Sequence, residues 1–279
     1  MSGMEISLVI ATYNSTEHIG KTLAEVLERA PREIVEIIVI NDGSEDTTVD
    51  QLATFLGHFS KVKAYTLNEN LGQAASVSLG IYLSTSRYVI VLDDDLQYGP
   101  EECIKLIDKG KQINEFQVIF GSPDLRIQSD SYKYFVAFSY TVLGIFISWI
   151  GKRKPVTPFF LLDKCTADLK WFHPIYVWDW NPDLVYHVNV IHAPSIRGKS
   201  SYNALKYIQQ FKPLIIFIFS KLAVFSGLLF LACFLANRQL GLLVFAAIWL
   251  SLSVLSSGWL SYHKRSLLRK ALRISKQEF

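Results

Sequence analysis

The sequence predicts an α/β domain on a mainly parallel sheet, joined to a membrane-associated C-terminal third. Three observations predict it. Strand, turn and helix patterns alternate through the first hundred residues, the pattern of strands linked by crossover helices. The turns after the first, second and fourth strands carry Tyr13, Asp42 and the run Asp93-Asp94-Asp95, so side chains able to do chemistry recur at strand ends. Apolar residues, 50% of the chain, crowd toward its end, and they lift the mean hydropathy to +0.24, high for a soluble protein.

The strands and helices follow in order. Ile6 to Ala11 reads as a short buried strand, too short for a signal peptide and with no basic region before it. The turn Thr12-Tyr13-Asn14-Ser15-Thr16 leads into a helix reaching about Ala30, with Asn14, Ser15 or Thr16 as its cap. A second strand, Val35 to Ile40, ends in Asn41-Asp42-Gly43-Ser44, and a helix from about Thr47 to Phe59 follows. The third strand, Val62 to Leu67, passes through Asn68-Glu69-Asn70-Leu71-Gly72 into a helix rich in Ala, Ser and Gly, whose small side chains allow close packing on the sheet. Tyr88 to Leu92 is the fourth strand, and a helix begins near Pro100. Val185 to Ile191 alternates as a further strand.

In a parallel sheet the first, second and fourth turns share one edge, which gathers Tyr13, Asp42, Asp93 and Asp95 around one cleft. An aromatic ring, a carboxylate able to bond a base or ribose, and two acids two residues apart describe a nucleotide-diphosphate site. Asp93 and Asp95 can converge on one hard cation, with the Gln97 side-chain oxygen as third ligand. The alternatives are plain: Asn-Asp-Gly-Ser is a good turn on local grounds, and the acids can form a solvated turn ahead of a helix. No Walker loop or dinucleotide glycine fingerprint is present, which disfavours an NTPase or a dehydrogenase. A net charge of +3 gives no sign of a nucleic-acid binder. Cys103, Cys165 and Cys233 match no zinc or redox spacing and read as unpaired thiols in a reducing compartment. The six histidines form no metal-spaced pair and receive no chemistry.

Between Pro213 and Ala236 the one charge is Lys221, and between Leu240 and Tyr262 there is none. A span needs roughly 20 such residues, so the pair reads as a transmembrane hairpin. Its link is Asn237-Arg238-Gln239, whereas both flanks are basic: Arg197, Lys199, Lys206 and Lys212 before it, and Lys264, Arg265, Arg269, Lys270, Arg273 and Lys276 after it. Positive residues stay inside, which makes this a multi-pass cell-membrane protein with its catalytic domain and both termini cytoplasmic. The tail suits anionic headgroups, and a hairpin of this kind packs against copies of itself as a homo-oligomer. Tyr134 to Ile150, uncharged between Lys133 and Lys152-Arg153-Lys154, reads as an interfacial helix. The resulting divisions are 1–130, 131–212, 213–262 and 263–279.

Four stretches, in order, carry a resemblance. Val9-Ile10-Ala11-Thr12-Tyr13-Asn14, Ile40-Asn41-Asp42-Gly43-Ser44 with Asp46 and Thr47, Asn70-Leu71-Gly72, and Asp93-Asp94-Asp95-Leu96-Gln97 resemble the successive motifs of family 2 glycosyltransferases of GT-A fold. The last form, together with two C-terminal spans, resembles the polyprenyl-phosphate branch, which includes dolichyl-phosphate mannose synthases and bactoprenol glucosyltransferases. The resemblance implies that Asp93, Asp95 and Gln97 hold Mg²⁺ or Mn²⁺ on the donor diphosphate, and that Ala11, Tyr13, Ile40 and Asp42, with Asp93 and Asp94, line the donor site. It implies a nucleotide-sugar donor, UDP-sugar ahead of GDP- or dTDP-sugar, and a polyprenyl phosphate acceptor. Arg197-Gly198-Lys199-Ser200 resembles the family's basic loop that closes on phosphates; a headgroup-binding stretch explains its charge equally well. Asp179, between Trp178 and Trp180 in an aromatic segment from Trp171, is placed to orient substrate near the acceptor end, so Asp95, Asp179, Arg197 and Lys199 form the expected catalytic set.

The sequence departs from the family pattern at several points. Ala11 stands where Pro is usual and Ser15 where an acid is usual. Gly121-Ser122-Pro123 stands where Gly-Ser-Arg is usual, with Arg126 three residues on. Thr157-Pro158-Phe159-Phe160-Leu161 matches the acceptor loop only in part. The expected reaction is inverting transfer of one sugar to the lipid phosphate. Two rivals remain: an enzyme that extends a lipid-linked or cell-surface glycan, and a non-catalytic nucleotide-binding subunit.

Overall fold

The structure is a computed structural model. It describes residues 4–123, 157–166 and 181–193, with helical residues within 216–235 and 244–258. The chain divides into two compact units, Met1–Lys199 with Leu268–Phe279, and Ser200–Leu267.

In the first unit, β1 (Ile6–Thr12), β2 (Ile34–Asn41), β3 (Val62–Thr66) and β4 (Tyr88–Asp93) alternate with α1 (Ile19–Arg29), α2 (Thr48–Leu56) and α3 (Gln73–Leu83). A 3-10 turn, Pro100–Glu102, leads into α4 (Cys103–Gln112), followed by β5 (Val118–Pro123), β6 (Phe160–Asp163) and β7 (Val185–Val190). The sheet order is β3-β2-β1-β4-β6-β5-β7. β1 to β4 are mutually parallel, β6 lies antiparallel between β4 and β5, and β7 pairs parallel with β5.

The strands are continuous apolar runs because both faces are covered. On one face Leu8, Ile10, Val39 and Ile90 pack against Ile19, Leu23 and Val26 of α1 and Leu106 and Ile107 of α4. On the other, Val9, Ile38, Ile40 and Val91 pack beneath Val77, Leu79 and Ile81 of α3. α3 lies close because Gly80 faces β1, where a Cβ would come within 2.3 Å of Val9 Cγ1. α1 stops at an extended Ala30 because Pro31 follows, and the residue before proline avoids the helical region.

β6 corrects the sequence reading. Residues 157–161 were expected to form part of an acceptor loop, but Phe159 to Leu162 are fully or almost fully buried, and β6 is hydrogen-bonded on both sides as a central strand. Thr157 Oγ1 donates toward the carbonyls of Gly121 and Phe159, at 2.8 and 2.9 Å. The Gly121 Cα lies against the Phe159 ring, where a Cβ would meet Cδ1 at 2.4 Å. Burial, not ligand access, explains these aromatic residues.

The expected interfacial helix, the aromatic segment from Trp171 to Trp180, the basic loop at Arg197 and the basic tail lie outside the described residues. In the second unit, Ala223 and Ala246 are buried, and at Gly227 a Cβ would lie 2.8 Å from Leu250 Cγ. The Phe219 and Trp249 rings meet at 6.0 Å. Small residues therefore let two helical segments approach each other. The expected spans are described only in pieces, and among the described residues no helix is long and apolar enough to cross a membrane. The three cysteines are free.

The amino-terminal edge of the sheet is held by Glu36. Its carboxylate accepts Ser7 Oγ at 2.6 Å, Lys63 Nζ at 2.7 Å, and the Thr85 N–H and Oγ1 at 3.0 Å each. Burial alone would raise its pKa, but these donors overcome burial and bring it from the ordinary 4.5 down to about 2. A depressed folded value means that the stabilisation is complete above about pH 4.5 and is lost as pH falls toward 2. Glu36→Gln is expected to cost about 2 kcal/mol at neutral pH, with the difference from wild type shrinking as the pH is lowered through that window. Urea titrations of both proteins at pH 7 and at pH 3 check this; a difference that stays constant would sever Glu36 from the acid response.

Candidate active site

Strand register builds the site. Ala11 of β1 lies opposite Ile40 of β2 on one side and Asp93 of β4 on the other, and Thr12 lies opposite Asn41. The residues just beyond these ends, Tyr13, Asp42 and Asp94-Asp95, therefore share one edge, as the alternation implied.

The first two turns are stitched together. Asn14, at φ 46°, donates its N–H to Ser44 Oγ at 2.9 Å, and its side-chain Oδ1 accepts the Glu45 N–H at 3.0 Å. Asp46 accepts the N–H groups of Thr16 and Thr48, and Thr48 Oγ1 accepts the Ser15 N–H at 2.8 Å. None of Asn14, Ser15 and Thr16 caps α1 with its side chain. Instead the Ser15 carbonyl takes the N–H groups of His18 and Ile19, while Asn14 bonds across to the neighbouring turn.

Asp42, expected on a base or ribose, is 3% exposed. Its two oxygens accept the N–H groups of Leu71 and Gly72, each at 2.8 Å. Burial pushes its carboxyl above the ordinary value, and these two donors oppose the shift. Asp42 thus anchors the Asn70-Leu71-Gly72 loop. Gly72 has φ 89° and Gly43 φ 64°, a region that favours glycine, and a Cβ on Gly43 would meet the Glu69 carbonyl carbon at 2.6 Å. Tyr13 and Ala11 are half-buried at the edge. Ile40 is not a lining side chain: it is fully buried under α3, because its position on β2 points into the core.

The acidic run divides by orientation. Asp93 Oδ1 accepts Gln73 Nε2 at 2.6 Å. Asp94 turns under the tip, 6% exposed, with Oδ2 accepting Thr12 Oγ1 at 2.5 Å and its carbonyl accepting Thr22 Oγ1 at 2.8 Å. It supports the edge from beneath. Asp95 Oδ1 accepts the Gln97 N–H at 3.2 Å, closing a tight turn over Leu96 at φ 55°. Gln97, expected as a side-chain ligand, also accepts the Ala193 N–H on its carbonyl at 2.8 Å.

That last bond delivers a residue that the sequence reading passed over. His192, just beyond β7, packs edge-on to Tyr98 at 4.9 Å, and Tyr98 stacks on Phe159 at 4.8 Å. Burial lowers the basicity of the His192 ring, and the charge of Asp95 opposes that shift. Almost a hundred residues separate it from Tyr98, so no spacing rule reveals that contact; the turn signal at Ala193-Pro194, just past a strand end, was the available hint.

Among the described residues no three His, Cys, Asp or Glu side chains gather into a group that could hold a metal ion. Two hard carboxylates at a strand tip, with a side-chain amide oxygen two residues on, nevertheless fit Mg²⁺ or Mn²⁺. Such ions bind through one or two carboxylates and leave positions for phosphate oxygens. Asp179, Arg197, Lys199 and Arg126 lie outside the described residues. Ser122 Oγ and His187 Nδ1 share a 3.1 Å hydrogen bond near the end of β5.

Comparisons with known proteins bear on this edge. Over 112 residues the chain is 37% identical to an undecaprenyl-phosphate 4-deoxy-4-formamido-L-arabinose transferase of Pseudomonas aeruginosa, covering 38% of this chain and 32% of that one. Over 124 residues it is 32% identical to a poly-beta-1,6-N-acetyl-D-glucosamine synthase of Staphylococcus epidermidis, covering 44% and 30%. The chain spans less than half the length of the curated relatives it matches. A crystal structure of Mycobacterium tuberculosis glucosyl-3-phosphoglycerate synthase, in complex with Mn²⁺, UDP and glucosyl-3-phosphoglycerate, superposes with a TM-score of 0.55 over 77% of this chain and 78% of that one. At 13% identity that likeness shows the fold, a mixed α/β sheet of the GT-A kind. The family model for glycosyl transferase family 2 matches residues 7–160, which is more than half of the sequence, and the chain belongs to that family.

Proposed function

We propose that this chain moves one sugar from a nucleotide-diphosphate donor to a membrane polyprenyl phosphate on the cytoplasmic face, inverting the anomeric centre. The observation that carries this reading is the common edge of β1, β2 and β4, where Tyr13 and the acids Asp93 and Asp95 stand beyond three adjacent parallel strands. The UDP in the mycobacterial structure supports a UDP-sugar, and the undecaprenyl phosphate in the name of the Pseudomonas relative supports the acceptor.

Asp93 and Asp95, with Gln97, would hold Mg²⁺ or Mn²⁺. Bound there, the ion supplies positive charge against the leaving diphosphate. The chain's own residues orient the site: Gln73 fixes Asp93, the Gln97 N–H fixes Asp95, and Thr12 fixes Asp94 beneath them. Arg197 and Lys199 close on the phosphates, and Asp179 orients the acceptor. A phosphate monoester has a second pKa of about 6 and is largely a dianion at neutral pH, so the acceptor needs no strong general base. The segments 213–236 and 240–262 form the membrane hairpin, a reading supported by Phe225, Leu229, Val254 and Leu255, each more than half exposed. A second reading, extension of a glycan, is favoured by the Staphylococcus relative.

Membranes carrying the chain, given labelled UDP-sugars, polyprenyl phosphate and Mg²⁺ or Mn²⁺, are expected to form an acid-labile labelled lipid. Label confined to longer glycans would favour the second reading, and no label from any nucleotide sugar would sink both. Asp95→Asn is expected to lower transfer by about a hundredfold or more while the protein still accumulates in membranes; unchanged turnover would remove the metal from the account. The chain should also stay with the membrane pellet through alkaline carbonate washing, and its release would exclude the hairpin.

A further inference from the structure

The carboxyl edge of the sheet continues past the acids into a second half. β4, β5 and β7 run in one direction, with β6 reversed between β4 and β5. Val91 of β4 and Phe120 of β5 both lie opposite Phe160 of β6, and all three belong to the cluster that contains Val77 and Leu79 of α3. Side chains alternate along a strand, so Asp93 and Ser122, each two residues farther on, stand on that same face in one row across the sheet. Asp93 bears this out by bonding Gln73 of α3. Two strand spacings separate Asp93 from Ser122, about 10 Å.

Ser122 is 7% exposed, and its Oγ shares a 3.1 Å hydrogen bond with Nδ1 of His187 on β7. His187 lies opposite Phe120 and so takes the same face, half-buried, with its ring tilted against the Phe120 ring at 5.4 Å. Packing there asks only for an apolar side chain, which Val185 supplies two residues earlier on that face. An imidazole fixed by a phenyl ring and a hydroxyl is a different device, since the bond at one nitrogen decides whether the other carries a proton. We infer that His187, oriented by Ser122, holds the phosphate of the acceptor. The inference rests on the reaction proposed above and deepens it by assigning the acceptor half of the edge. Reacting atoms must come within about 3–3.5 Å, and inversion brings the acceptor to the side of the sugar opposite the diphosphate. The group holding the acceptor therefore stands a sugar ring away from Asp93, as two strand spacings allow. One phosphate oxygen forms the bond to the anomeric carbon as the bond from that carbon to the diphosphate oxygen breaks, and the electron pair leaves with the nucleoside diphosphate. His187 donates a charge-assisted hydrogen bond to a second phosphate oxygen and transfers no proton.

The test is steady-state transfer by the detergent-purified full chain, with a short-chain polyprenyl phosphate and whichever labelled nucleotide sugar the wild type accepts, each varied in turn. His187→Ala is expected to raise KM for the polyprenyl phosphate about tenfold and to leave KM for the nucleotide sugar unchanged. His187→Gln, whose amide still donates, recovers most of that loss. Ser122→Ala raises the acceptor KM about threefold and adds nothing in a His187→Ala background, because it acts through the ring. A wild-type acceptor KM in His187→Ala, a rise in both KM values alike, or a fall in kcat alone overturns the inference and leaves the proposed reaction standing. If His187→Ala does not fold, Ser122→Ala gives the same decision through the same split between the two substrates. Wild-type protein that puts no label on polyprenyl phosphate from any nucleotide sugar overturns the proposed reaction and this inference together.

Discussion

Carboxylates gathered at one end of a parallel sheet repel one another, and the carboxyl edge of this sheet is organised around that repulsion. Asp42, Asp93, Asp94 and Asp95 follow two strands that lie on either side of β1. Among the donors that orient them are neutral groups of the described residues: the Leu71 and Gly72 amides, Gln73, Thr12 and the Gln97 amide. Neutral donors fix direction without discharging the group. Their carboxylates are thereby aimed, which is what a site for a cation bridging to a diphosphate requires.

The amino-terminal edge makes the contrast plain. Glu36 is as buried as Asp42, but it meets a cation, Lys63, together with three neutral donors, and its pKa falls to about 2. Asp42 meets two amides, and burial still raises its pKa. One edge neutralises its acid and gains stability across β1, β2, β3 and the turn before β4. At the other edge the loops around the acids are held by many bonds to backbone amides and hydroxyls.

Much of this was legible in the sequence, and the failures have physical causes. The four parallel strands and their order of turns follow from apolar runs and crossover spacing, which are local signals. The orientation within the acidic run is not local: Asp93, Asp94 and Asp95 look alike in sequence, and it takes Thr12 on β1 to turn Asp94 inward. Ile40 was assigned to the donor pocket although it belongs to the core, because motif position does not report which face of the strand a side chain takes. Asp42 keeps its place at the edge but is bonded to a backbone loop that only the third crossover brings near. His192 was invisible because its neighbour is reached through the return of β7, and no fixed spacing encodes that path.

β6 is the most informative of these failures, since it changes the width of the site. A four-residue strand, Phe160–Asp163, carries too little pattern to be read as one, yet by running antiparallel between β4 and β5 it puts its first residues at the acidic edge and its last at the opposite one. Asp163 there pairs with Arg87 through two bonds, at 2.9 and 2.7 Å, which locks the strand's far end. At the near end Phe159 provides the surface on which Tyr98 stacks, so the chain leaving β4 is drawn sideways over β6 instead of continuing outward. With about 4.8 Å between neighbouring strands, β7 lies three strand spacings from β4, roughly 14 Å, too far for a direct contact between strand ends. The sideways course of residues 94–99 and the return of residues 191–193 close that gap, and without the antiparallel insert Tyr98 would have no ring to rest on and His192 no wall to meet.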